Sequence, residues 1–110
     1  MKEASLKERE QYLLVDIRRK DETATGILPG AKCVIWKDEN GQNPHFLEEI
    51  KALEKEAKEQ GKPLALICHA GGRSSAACDF LETQGIEAFS MTGGMSRALI
   101  MGIKLQDPAV

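Results

Sequence analysis

The chain has 110 residues, 42% of them hydrophobic and 29% charged, with a formal net charge of −2 at pH 7. That length predicts one domain over residues 1–110, large enough to bury a core without staples, and the balanced charge leaves no basic footprint for nucleic acid. No apolar run reaches the roughly 20 residues of a membrane helix and the start "MKEASLKERE" is unlike a secretory signal, so a cytoplasmic setting is expected, although a removed leader would leave no trace.

Ser5-x-x-Glu8 has the form of a capping box and predicts a short helix over 6–11. "YLLVDIR" (12–18) reads as a buried strand ending on Asp16 and Arg18, and the polar stretch that follows closes in a tight turn at Pro29-Gly30. "KCVIW" (32–36) is rich in β-formers and predicts a second strand. "KDENGQNP" reads as a loop in which Asn43 is the N-cap and Pro44 the first residue of a helix. Phe46, Ile50, Leu53 and Ala57 then fall on one helical face, the charged remainder forms a solvated outer face, and Gly61 stops the helix.

"LALIC" (64–68) is an apolar strand that ends on a cysteine and runs into "HAGGRS". Helical residues follow from about Ser74, with Ala77 and Leu81 facing inward and Gly85 as the stop. "IEAFSM" (86–91) predicts the last strand, "TGG" a turn, and "MSRALIM" a terminal helix closed by Gly102. Strands alternating with helices predict an α/β domain with a largely parallel sheet. Periodicity reveals four strands, and a fifth within residues 1–4 is too short to assign.

The three cysteines, Cys33, Cys68 and Cys78, are an odd number at unrelated spacings, which argues against a disulfide framework. Cys68 and His69 are adjacent, His45 is remote and there is no C-x-x-C pair, so no metal site is expected.

Ligands of open parallel sheets sit beyond the carboxyl ends of the strands, which is where Cys68 falls. Gly71 and Gly72 allow a sharp turn whose amide N–H groups converge on one spot, and the start of the next helix adds its positive end. A thiol there favours the nucleophilic thiolate, and the same cradle would hold a persulfide or a small oxyanion. Arg73 offers a planar cationic fork for an anion such as thiosulfate. The alternative is a structural thiol closing a buried strand.

Three segments in order resemble the rhodanese-like family of sulfurtransferases. "CHAGGRS" is similar to the family's C-x-x-G-x-R-S loop, with Cys68, Gly71, Arg73 and Ser74 in register. "VDIRRKDETATGILPGA" is similar to D-x-R-x-x-x-E…G-x-I-P-G-A, matching Asp16, Arg18, Glu22, Gly26, Pro29, Gly30 and Ala31. "MTGGM" with Gly102 resembles the closing G-G-x…G segment.

The resemblance implies a five-stranded parallel sheet with helices on both faces. It also implies a double displacement in which Cys68 takes a sulfane sulfur from thiosulfate or a persulfide. The resulting Cys68 persulfide passes its sulfur to a thiol, cyanide or protein acceptor, without metal or organic cofactor. The backbone of His69, Ala70, Gly71, Gly72, Arg73 and Ser74 would then cradle the outer sulfur, with Arg73 binding or steering the donor. Related phosphatases and arsenate reductases place one more residue between cysteine and arginine than the four here, so the loop suits sulfur better than phosphate.

Ile27 and Leu28 stand where the family often has histidine and isoleucine, and Arg97 and Ala98 replace a closing Ala-Trp. Ala70 occupies a position where some thiosulfate-using members carry a cation, so a persulfide donor is equally admissible. A noncatalytic or redox-sensing binding module and a dedicated protein-to-protein sulfur carrier are the alternative functions.

Asp16 and Arg18 are expected to form a structural ion pair under the active edge, with Glu22 in the same network. His69 is either a base or solvent-facing, the latter favoured because amides alone can activate a loop cysteine. Cys78 reads as a core thiol more readily than as a resolving one, and Cys33 as core; Trp36 lines the site or packs a loop.

Overall fold

The computed structural model describes residues 2–108. Five parallel strands form the central sheet: β1 (Lys2–Ala4), β2 (Leu13–Asp16), β3 (Lys32–Cys33), β6 (Leu64–Ile67) and β7 (Ala88–Met91). Their spatial order is β1-β7-β6-β2-β3, so β6 lies at the centre between β7 and β2. A separate hairpin pairs β4 (Lys37–Asp38) with β5 (Gly41–Gln42). The helices are α1 (Lys20–Thr23), α2 (Phe46–Gln60), α3 (Gly72–Thr83) and α4 (Gly94–Ile100), with a 3-10 segment over Leu6–Gln11.

The runs "LLV" and "LALI" are apolar without alternation because β2 and β6 are buried on both sides. On one side Leu13, Val15, Leu64, Leu66 and Cys68 pack against Phe46 and Ile50 of α2 and Ala77 and Leu81 of α3. On the other, Leu14, Ala65 and Ile67 meet Leu6, Ile27, Leu28, Met95 and Ala98. Strand alternation therefore places the Cys68 side chain on the α2/α3 side.

Several expectations are corrected. The unassigned fifth strand exists: Lys2, Glu3 and Ala4 pair in parallel with Phe89, Ser90 and Met91. It is three residues long and only Ala4 is buried, so no periodicity marks it. The capping box does not close, because Ser5 Oγ accepts from Lys7 N and Glu8 leaves helical geometry at φ −107°.

The second strand shortens to Lys32–Cys33, an edge element whose Cys33 is exposed rather than core. Asn43 and Pro44 precede α2 instead of starting it. Asn43 Oδ1 accepts from His45 N at 3.0 Å, a local turn that delays the helix to Phe46. Trp36 packs into the core, its ring 4.7 Å from Phe46 and 5.4 Å from Phe80.

Candidate active site

Cys68 follows the last residue of β6, and the chain turns through His69, Ala70 and Gly71 into α3. Gly71 sits at φ +110°, a conformation that side-chain-bearing residues rarely adopt, and this turn aims its amide back at the sulfur. Gly71 N donates to Cys68 Sγ at 3.0 Å and Ser74 N donates at 3.3 Å. Ser74 Oγ lies 3.5 Å from Sγ. Two backbone N–H groups at a helix start thus stabilise negative charge on that sulfur.

A second layer holds the loop. Ser74 Oγ donates to Gly71 O at 3.1 Å and lies 2.7 Å from Ser90 Oγ, while Ser75 Oγ donates to Gly71 O at 2.8 Å. From the other side of the sheet edge, Met95 N donates to Cys68 O at 2.9 Å and Ser96 N donates to His69 O at 2.8 Å. The start of α4 therefore grips the outward-facing carbonyls while the start of α3 faces the thiol. Gly94 permits this approach, since a Cβ there would stand 2.3 Å from Cys68 O.

Asp16 and Arg18 close on each other at the end of β2. Arg18 Nη2 donates to Asp16 Oδ2 at 2.8 Å, Arg18 Nε and N donate to Oδ1, and Nη2 also donates to Gly26 O at 2.8 Å. Both residues are buried, and the pair ties the strand end to the segment beginning at Gly26.

Glu22 stands apart from this pair, contrary to expectation, because α1 turns it toward the cysteine loop. Arg73 Nη1 donates to Glu22 Oε1 at 2.6 Å and Nη2 donates to Oε2 at 2.8 Å. Arg19 N also donates to Glu22 Oε1, at 3.2 Å. The hydrogen bonds from Arg73 hold the Glu22 carboxyl at about 2, against an opposing effect of burial. The same pairing raises the Arg73 guanidinium above its ordinary value.

His69 is exposed, with Nε2 3.2 Å from Ser96 Oγ, and Ala70 and Gly72 are exposed on the loop. Cys78 is buried on α3, and burial pushes its thiol up to about 12, which fits a packed core residue rather than a resolving thiol. Arg97 lies on α4 and lines a surface cavity together with Leu6, Lys7 and Thr92. No group of three or more His, Cys, Asp or Glu side chains is placed to hold a metal ion among the described residues.

Ser90, Met95 and Ser96 were absent from the sequence-derived site. The serine inside "AFSM" was a visible signal, since a polar residue in a buried strand needs a partner. The roles of Met95 and Ser96 are carried by their amides, which no side-chain pattern reports.

The chain matches the family described as "Rhodanese-like domain" over residues 3–98. It is 32% identical over 96 residues to the "Putative sulfurtransferase YtwF" of Bacillus subtilis (strain 168), covering 84% of this chain and 82% of that protein. A crystal structure of a rhodanese-related protein from Thermoplasma volcanium superposes with a TM-score of 0.75 at 22% identity, covering 96% of this chain and 98% of the other. The solution structure of hp1203 from Helicobacter pylori 26695 gives a TM-score of 0.71 at 21% identity, covering 96% and 88%.

Proposed function

The chain belongs to the rhodanese-like domain family, and from that premise we propose that it is a sulfurtransferase working through a persulfide on Cys68. The observation that carries this reading is the pair of amides, Gly71 N and Ser74 N, directed at Sγ. They stabilise negative charge on Sγ as it attacks in the first transfer and again as it leaves the outer sulfur in the second.

In the first half-reaction the Cys68 thiolate attacks the sulfane sulfur of the donor. A Cys68 S–S bond forms as the donor's bond to that sulfur breaks, and the electron pair leaves with sulfite from thiosulfate or with a thiolate from a persulfide. In the second half-reaction a thiol or cyanide attacks the outer sulfur, and its bond to Cys68 breaks to restore the thiolate. Oxidation state is exchanged between the sulfur partners, so no external electron carrier takes part.

Incubation with thiosulfate or cysteine persulfide, followed by intact-mass measurement, tests the reading. The parent should gain the mass of one sulfur and lose it to cyanide or a thiol, while Cys68→Ser gains none. Absence of an adduct with every sulfane donor would overturn it. An adduct that small acceptors cannot remove, but a partner protein can, would identify a dedicated carrier instead.

A further inference from the structure

The charged groups beside the cradle are already balanced. Arg73 is the cation of the cysteine loop, and both terminal nitrogens of its guanidinium are committed to the two oxygens of Glu22. Glu22 is itself anchored on α1, where Arg19 N donates to Oε1 and Arg19 Nη1 lies 3.6 Å from the same oxygen. Arg19 also pairs with Asp21 at 3.2 Å. Two guanidinium groups thus face two carboxylates. Because Arg19 N holds the Glu22 carboxylate in place, displacing Arg73 would leave that negative charge near the loop.

We infer that Glu22 is a specificity-determining residue which directs the Cys68 site toward sulfane sulfur carried on a thiol and away from dianionic thiosulfate. This rests on the sulfurtransferase reading above. Thiosulfate brings two negative charges and releases sulfite, also a dianion, so it needs an uncompensated cation at the mouth. Here it meets a bidentate pair that it must open and a carboxylate that repels it. A persulfide donor carries at most one charge on the reacting group and releases one thiolate, so it has less need of a free Arg73 than a dianion has. Ala70 adds no cation of its own to the loop.

Steady-state turnover of the parent and Glu22→Gln with thiosulfate and with cysteine persulfide, each at low and high ionic strength, tests the inference once circular dichroism shows both folded. The variant's ratio of kcat/KM for thiosulfate over persulfide should rise about tenfold, mainly through a lower KM for thiosulfate. The gain should shrink at high salt and vanish in Glu22→Gln/Arg73→Gln. Arg73→Lys keeps the charge but cannot fork onto both carboxylate oxygens, so it should move the ratio the same way without removing Glu22.

A ratio that stays or falls in both single variants overturns the inference. If it stays while Cys68 of the parent still acquires a sulfur, only the donor-selecting role fails. If the parent acquires no sulfur from either donor, the sulfurtransferase reading fails with it.

Discussion

Gly94 packs its Cα face directly against the carbonyl oxygens of Cys68 and His69, where an added Cβ would stand 2.3 and 2.8 Å away. Both obstructing atoms are backbone, and Gly94 itself sits at φ +53°. Gly94→Ala should therefore push α4 off the loop and break the bonds from Met95 N and Ser96 N. The expected cost is about 2–4 kcal/mol of stability, with loss of sulfur transfer, measured by urea unfolding and turnover. Gly72→Ala is the contrast. A Cβ there meets nothing within 4 Å, so stability should change by less than about 1 kcal/mol.

Ser90→Ala removes the hydroxyl that lies 2.7 Å from Ser74 Oγ in the buried layer beneath the thiol. Ser74 keeps its bond to Gly71 O, so the loop should persist in a looser form. A loss of about 1 kcal/mol in unfolding free energy is expected, with slower sulfur transfer. Ser90→Thr, which restores a hydroxyl, should recover part of the rate if hydrogen bonding rather than packing is responsible.

The Glu22–Arg73 pair makes stability depend on acid in a definite direction. The carboxyl is held at about 2 in the fold against an ordinary 4.5, so folding favours its ionised form. The contribution is complete above about pH 4.5 and disappears as the pH falls through about 2. Solvent screening keeps it to about 1 kcal/mol. Urea unfolding should show Glu22→Gln less stable than the parent by that amount at pH 6, with the two curves converging near pH 2. A constant gap across that range would contradict the linkage.

The cysteines should separate by reactivity. Cys78 is buried, its thiol pushed up to about 12, and should resist alkylation until the chain unfolds. Cys33 is exposed and should react in the native protein. Its thiol is raised first by partial burial and then by the nearby Asp16 carboxylate, so its alkylation should be slower near neutral pH than that of an ordinary thiol and level off only at higher pH. Peptide mapping after timed iodoacetamide labelling reads both rates.

Long, continuous signals were legible. "LALIC" and "YLLVDIR" contain the central strands because strands covered on both faces must be apolar throughout. The Phe46–Ile50–Ala57 face marked α2 because a helix against a sheet buries residues three to four apart. Short elements were not legible. β1 is held by pairing with residues 87 positions away, and the hairpin of β4 and β5 is too brief for any period to show. Cys33 looked like core because its segment favours strands, yet only its position at the sheet edge determines its exposure.

The candidate site is readable along the chain: a cysteine ending a central strand, two glycines, and an arginine and serine opening a helix are local features, and their backbone consequences stay within seven residues. What surrounds them depends on how distant elements assemble. Glu22 and Arg73 lie 51 positions apart, and Gly94 reaches the Cys68 carbonyl from the start of the helix that follows the neighbouring strand β7. Which cation is neutralised, and which carbonyl is gripped, depends on strand order and helix placement. Side chains distant along the chain meet only when burial of the two apolar faces brings their elements together.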